Sequence, residues 1–539
     1  MEDSITNNGY KIVLTADRTL MSEHHGGLFL GFSACVPKGL IPDRLYFSLL
    51  CPSVGVNRDG SVKFAPCGIR KIEAALLNYG FQREDVIVAH PEYMDKVVGP
   101  NTKVVGIAEN DPLGMAPATS SFTEVLGGEA YMAIKFRELL NHPAIKKHKP
   151  KILGGGPGSW QLESMETRKE LGIDCVIVEE GEKVVGPIFG KAVNGETLPE
   201  VVHGKVVPEE EIPIIKGPTI CGLVEIARGC GRGCAFCVPT LQVYRCLSVE
   251  HILKEVEVNL RAGRQPLLHA EDVLRYKAKS FRVNKEAVIN LFRTVQNHPG
   301  VRMTSLSHIA LSSVVDAPDV IEEISSILGL KEKATWTAAQ TGIETGSPKL
   351  IKKYMAGKCK PFKPEDWPQV VVDSFEILSK NNWLPCGTLI LGLPGETEKD
   401  VELTIELVEK LKPFKSLIVP LFLVSMGGLK NRAESFTLDK MTNKHYELYL
   451  KCWEHNLNWA PSLVEEYSRI AIRGKVTQYG LKLFFSYGIK QATELVRRCR
   501  DDYGYDVPAM IRDARSGKIK VSPSFPARLA YRLVKLKVR

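Results

Sequence analysis

Little in this sequence points to export or to a membrane. Its start, MEDSITNNGYK, has no basic segment followed by an apolar stretch, so no secretory leader is predicted. The longest apolar run, Leu417–Met426, is too short to span a bilayer and leaves no candidate anchor. A strong charge of either sign is also missing: 71 basic against 62 acidic residues give +9, spread along the chain except for the basic tail Arg528–Arg539. So mild an excess does not argue for a nucleic-acid partner, and the tail has the pattern of a solvated face or an amphipathic terminal helix. No disulfide pattern is visible. The 13 cysteines, an odd number, sit mostly singly inside apolar runs, as at Cys51, Cys175 and Cys386, which fits buried reduced thiols of a cytoplasmic protein. What remains is a chain of 539 residues, 44% hydrophobic and 25% charged, long enough for about three domains.

Three cysteines break the solitary pattern. In Arg228–Cys237 (RGCGRGCAFC), Cys230, Cys234 and Cys237 stand in a CxxxCxxC spacing just after the apolar run Leu223–Ala227. Three thiolates on a Gly-rich loop at a strand's end can hold three irons of a [4Fe–4S] cube, leaving one iron open. A zinc knuckle is the plainer alternative, but zinc usually takes four closed ligands and no CxxC or HxxxH partner lies nearby.

With Phe236 before the last cysteine, this loop resembles the signature of the radical S-adenosylmethionine (SAM) enzymes. The resemblance implies that SAM chelates the open iron. An external one-electron reductant then drives its cleavage to a 5′-deoxyadenosyl radical, which takes a hydrogen atom from an unactivated carbon. Tyr244 and Arg245 lie near the cluster by chain distance, where a tyrosine could ligate the open iron, pass a proton, or simply pack.

Residues 1–205 alternate apolar runs of strand length with helical patterns. The strand candidates are Leu45–Cys51, Asp85–Ala89, Lys103–Ala108, Lys151–Leu153 and Cys175–Val178; the helical stretches are 68–80, 122–140 and 164–172. That alternation predicts a doubly wound, Rossmann-like parallel sheet with its ligand crevice at the carboxyl ends of the strands. Two loops fall there, Asn110–Ser121 and Gly154–Ser159. Gly-rich turns in such places suit a tight βα connection or close approach to a flat ligand.

Beside a radical SAM core, the order of these elements, with Glu-Glu-Gly-Glu at 179–182, resembles the N-terminal domain of cobalamin-dependent radical SAM enzymes. It implies a corrinoid held by Asn110, Asp111, Leu113, Gly114, Ser120 and Ser121, by Gly154, Gly155 and Gly156, and by Glu180 and Glu182. The DxHxxG motif is missing, so cobalt is expected to have no protein histidine below it. His90 reads as a surface or core residue, and no role falls to the His24–Gly27 loop.

Residues 206–220, with three prolines, read as a linker or edge extension. Strands and helices resume over 221–432, with helices at 249–262, 285–297 and 313–328. The segment Thr337–Ser347 resembles the family strand whose carboxylate binds the ribose of SAM, a role that falls to Glu344 with Gly342, Thr345 and Ser347 beside it. An exposed glutamate at a helix start is the plain alternative. Gly387–Glu396 resembles the strand lining the adenine, with Gly387, Leu389 and Gly392 in place and Glu396 ordering the turn or capping the next helix. Lys415–Val424 reads as the last strand, and six parallel strands would give the partial (β/α)6 barrel of the family. From 433 to 539 the pattern is helical, with Tyr446, Tyr449, Trp453 and Trp459 spaced as core residues.

The resemblance thus implies a cobalamin-dependent radical SAM methyltransferase, in which one SAM recharges methylcobalamin and another supplies the radical. The sequence is similar to archaeal members, among them those that C-methylate a glutamine of methyl-coenzyme M reductase, which implies a protein or peptide substrate. Two alternatives stay open. One is a cobalamin-using rearrangement enzyme acting on a small metabolite. The other is a methylthiotransferase, for which Cys35, Cys51 and Cys67 would hold a second cluster.

Overall fold

The first strand does not lie where the apolar run at 45–51 suggests. In the computed structural model, which describes residues 8–24, 28–39, 41–238, 243–333, 335–471 and 475–515, strand β1 is Ile12–Thr15, buried along its whole length. Leu45–Cys51 is helical instead: a short α-turn, Asp43–Leu45, runs into a π-turn, Tyr46–Leu50. Tertiary packing decides this. The Tyr46 ring stacks on Tyr131 at 3.9 Å with Phe47 edge-on to both, a contact that strand alternation would not provide.

Strands β2 (Val86–Val88), β3 (Val104–Ala108), β4 (Lys151–Gly155), β5 (Cys175–Val178) and β6 (Val201–His203) join β1 in one parallel sheet of order 2-1-3-4-5-6. Alternate strand residues feed two cores. Ile12 and Leu14 pack with helices Cys67–Tyr79 and Val185–Val193 on one face. Val13 packs with helix Tyr131–Leu140 on the other. This is the doubly wound sheet expected, and its order reverses between β1 and β3, where a crevice opens at the carboxyl edge. The helical stretch 122–140 is two helices, Pro117–Leu126 and Tyr131–Leu140. Gly127 and Gly128, at φ +70° and +87°, end the first.

Residues 206–220 form a packed strap: Val207, Ile212, Ile215 and Thr219 are buried, the first two in the core of the second domain. After β7 (Leu223–Glu225), a two-residue antiparallel pair, β8 (Ala227–Arg228) and β9 (Arg245–Cys246), brackets the cysteine loop. Strands β10 (Leu267–His269), β11 (Ser305–Leu306), β12 (Thr337–Glu344), β13 (Trp383–Leu391) and β14 (Leu417–Phe422) then run parallel to β7 in the order 7-10-11-12-13-14. A single parallel bridge, His308 to Gln340, joins the two halves. Among the described residues no hydrogen bond joins β7 to β14, so the barrel is partial, as expected. Pro318 divides the helical stretch 313–328 into Leu311–Asp316 and Pro318–Leu328.

Helices Asn443–Ala471, Lys475–Tyr503 and Val507–Arg515 complete the described chain. The first covers the β14 edge: Asn456 exchanges two 2.8 Å hydrogen bonds with the Ile418 backbone, standing in for a neighbouring strand. Leu448 and Cys452 form its buried face, while Trp453 is 39% exposed and Tyr446, Tyr449 and Trp459 are half-buried at its margin. The basic tail and His25–Gly27 lie outside the described residues. No helix among those described is long and apolar enough to cross a membrane.

Candidate functional site

The cysteine loop is wound by its glycines. Gly229, Gly231 and Gly233 have φ of +71°, +64° and +72°, values that a side chain would resist. Protein contacts hold the loop from several sides. Buried Arg232 donates to the carbonyls of Gly357, Lys358 and Lys360 at 3.1–3.2 Å and to Asp272 and Ser313 at 3.0 Å. Arg275 donates to the Cys230 carbonyl, and the Ala235 N–H to the Tyr354 carbonyl at 2.8 Å. At Gly427 a Cβ would lie 2.2 Å from the Cys237 oxygen. A hydrogen bond from Cys237 and the nearby Lys358 and Arg232, working against burial, lower the Cys234 thiol pKa, while the same bond and burial raise that of Cys237. All 13 cysteines are free thiols. Among the described residues no three His, Cys, Asp or Glu side chains converge on a single ion, and a cube held at three separate corners does not require that. Soft donors, a flexible glycine frame and flanking cations fit an iron–sulfur cluster.

Glu344 ends β12 at φ +64°, where the β12–β13 register slips between Gly342 and Glu344. Its buried carboxylate meets the Lys358 ammonium at 2.8 Å and Thr388 at 3.5 Å. A Cβ on Gly342 would fall 1.9 Å from Glu344 Oε1, so this glycine makes room for the pair itself. Thr345 and Ser347 turn inward: Thr345 meets Thr404 at 3.2 Å, and Ser347 caps helix Pro348–Tyr354 and donates to Asp400 at 2.6 Å. Gly387 packs under Ile343, buried Leu389 faces the core, and Gly392 (φ +84°) admits Phe436. Glu396 orders the turn by accepting from the Gly392 N–H at 2.7 Å and meets His445 at 3.1 Å.

A cavity of about 890 Å³ joins the two domains. It is walled on one side by Thr15, Asn110, Gly154, Gly155 and Gly156 at the sheet's carboxyl edge, and on the other by Arg228, Val238, His269, Glu271 and Gly427. It continues as an apolar slot between the sheet residues Leu14, Gly106, Leu153 and Ile177 and the helix residues Ile69, Ile72, Val185 and Phe189. The three glycines at 154–156 line this cavity. Of the residues named in the 110–121 loop only Asn110 lines the cavity. Asp111 instead knits the loop, accepting from Met115, Ala116 and Gln161 at 2.7–3.0 Å. Gln161 in turn accepts from the Leu113 N–H, and Gly114 turns at φ +72°. Ser120 and Ser121 belong to helix Pro117–Leu126, where Ser121 accepts from the Phe422 N–H of β14 at 2.6 Å.

Glu180 and Glu182 reach the cavity wall but are committed to arginines. Glu180 takes a two-pronged bond from Arg245 at 2.6 and 2.9 Å, Arg228 at 3.0 Å and the Val207 N–H at 2.8 Å; Glu182 takes Arg228 at 2.8 Å. Burial would raise the Glu180 carboxyl pKa, but these partners hold it below the usual range. Arg228 also grips Glu225, whose carboxyl, despite burial, is pulled down to about 2 by Arg228, Lys71 and His269. Lys71 donates to Glu255 at 2.6 Å, closing an ion chain that ties the sheet domain to the barrel. Removing one member leaves a buried charge alone, so Lys71→Met should cost about 3–5 kcal/mol in urea unfolding, and adding Glu255→Gln should recover most of it. Tyr244 donates to the Arg275 carbonyl, accepts from Cys246 at 2.9 Å and lies under the Arg275 guanidinium. These are packing contacts one residue removed from the cluster loop.

At the β1/β3 reversal, behind the cavity, Asp17 and Glu109 are fully buried side by side, with the Asp17 N–H donating to Glu109 at 2.8 Å. Burial, then the Asp17 charge, raises the Glu109 carboxyl pKa well above normal. A raised carboxyl weakens the fold as pH climbs from its ordinary value through the raised one. Glu109→Gln should therefore melt higher than the parent at pH 8 and close to it at pH 5. Buried His90, pushed down to about 3 by burial and Arg18, is a core residue bonded to Ser53. Cys35 packs on the cluster of Ala34, Ala130 and Met132, Cys51 packs with Tyr46 and Tyr131, and Cys67 lines the cavity.

A Rossmann-like parallel sheet thus stands beside a partial parallel barrel whose three-thiol loop lies between β8 and β9. Residues 224–408 match the Radical SAM superfamily, and such a domain implies a [4Fe–4S] cluster and SAM. The chain is similar to an uncharacterised methyltransferase of Pyrococcus horikoshii, 24% identical over 342 residues, covering 57% of this chain and 66% of that protein. It is also similar to the ribosomal protein uS12 methylthiotransferase RimO of Thermotoga maritima, 28% identical over 203 residues, 35% of this chain and 41% of that one. The matches thus span just under two-thirds of the first relative and about two-fifths of the second. Its fold is similar to that of the cobalamin-dependent S-adenosylmethionine radical enzyme OxsB, with a TM-score of 0.54 and 12% identity over 98% of this chain and 80% of that one.

Proposed function

We propose that this protein is a cobalamin-dependent radical SAM methyltransferase that methylates an unactivated carbon, with a protein or peptide as substrate. The observation that carries the reading is the cavity of about 890 Å³ between the sheet edge and the cluster loop. Its wide mouth suits a flat macrocycle lying on Gly154–Gly156, and its apolar slot suits an aromatic appendage. Neither cavity histidine lies in a DxHxxG setting, and His269 is hydrogen-bonded to Ser307 at 2.9 Å. A bound corrinoid would supply the methyl group and SAM the radical. Cys230, Cys234 and Cys237 would hold the cluster, Glu344 the ribose, and the buried ion chain would keep water from the seam. The resemblance to archaeal members makes a glutamine of methyl-coenzyme M reductase the particular candidate.

The test is turnover under a one-electron reductant with methyl-labelled SAM and candidate peptides. Label recovered on peptide carbon, with 5′-deoxyadenosine formed alongside, is the expected result. A product of unchanged mass would mean rearrangement, and a product gaining sulfur would mean methylthio transfer.

A further inference from the structure

Lys358 has no sequence signal, yet it occupies the most consequential position beside the cluster loop. The segment carrying it comes after helix Pro348–Tyr354 and is fastened twice. Arg232, between two of the cysteines, binds the carbonyls on either side of Lys358 and its own. Ser312 donates to the Lys358 carbonyl at 2.9 Å. The backbone that carries Lys358 is therefore held against the cysteine loop by the same arginine that shapes that loop. Its partner, Glu344, is held by a left-handed backbone and a register slip, and Gly342 leaves the space in which the two meet at 2.8 Å.

The segment is also pressed against the cysteine loop: at Gly357, next to Lys358, a Cβ would lie 1.9 Å from the Arg232 carbonyl oxygen.

We propose that Lys358 is a positioning residue with a redox function. It holds the Glu344 carboxylate in place at 2.8 Å, and its positive charge raises the reduction potential of the cluster that the three cysteines would hold. The step concerned is addition of one electron from an external donor, with no bond made or broken. The reduced cluster carries one more negative charge, so a fixed cation nearby favours it and a fixed anion disfavours it. The inference rests on the radical SAM reading of the cysteine loop.

The test is a potentiometric titration of the full-length, anaerobically reconstituted protein without SAM, followed by EPR of the reduced cluster. Lys358→Met should shift the midpoint to more negative potential and Glu344→Gln to more positive. Lys358→Arg should stay near the parent, and the double variant Lys358→Met/Glu344→Gln should fall between the single variants. Opposite shifts from two contacting partners are not what general damage produces. Midpoints that do not move, or that move the same way in both single variants, overturn the proposal. If Lys358→Met fails to load iron, Glu344→Gln and Lys358→Arg still decide it. A parent protein that binds no cluster would defeat the radical SAM reading itself.

Discussion

Cys234→Ser should lose both its cluster and its turnover, with product falling to background, while the chain stays folded. Protein contacts hold the loop from several sides. Arg232, Arg275 and the Tyr354 carbonyl grip its backbone, and Gly427 lets a neighbouring turn close against Cys237. Exchange of sulfur for oxygen at this buried site should cost only about 1 kcal/mol, whereas a hard hydroxyl is a poor ligand for iron held by soft thiolates. Iron analysis, circular dichroism and the labelled-SAM assay together check the expectation. Retained iron with normal turnover would remove Cys234 from the site.

The second large effect separates the ligand role of a glycine from its backbone role. Gly155 ends β4 on the cavity wall, and a Cβ there would meet only the Ile177 carbonyl at an ordinary 3.7 Å. Gly155→Phe should therefore fold, project its ring into the cavity and weaken corrinoid binding by ~100-fold or more while leaving iron content unchanged. Gly156 differs. At φ +90°, with Glu109 backbone atoms 2.7 Å from any Cβ, Gly156→Ala should lower stability by about 2–3 kcal/mol before any ligand is added. Equilibrium binding of hydroxocobalamin, set beside melting curves for the two variants, distinguishes the roles. Unchanged binding in Gly155→Phe would place the corrinoid elsewhere.

The parts of the fold and site that are legible in the sequence are those written as spacing. CxxxCxxC states its chemistry without a fold, and alternating apolar runs show β2 to β5 because each strand is buried on both faces. Four-residue β1 escapes notice because IVLT has no flanking helix to give it context. Leu45–Cys51 looks like a strand because apolar content says nothing of the Tyr131 ring that stacks on it. The charged residues are the least legible. Glu180 and Glu182 stand at the expected strand end, but only the folded chain brings Arg228 and Arg245 to them. Lys71, Arg232 and Lys358 are ordinary surface-type residues whose burial comes entirely from contacts between segments far apart in sequence.

One seam is proposed to hold a cluster on the barrel side and a corrinoid on the sheet side. Iron and cobalt content of the protein after anaerobic reconstitution with hydroxocobalamin tests it most directly. About four irons and about one tightly held cobalamin per chain are predicted. About eight irons with no cobalt would contradict the account and return Cys35, Cys51 and Cys67 to consideration as ligands of a second cluster.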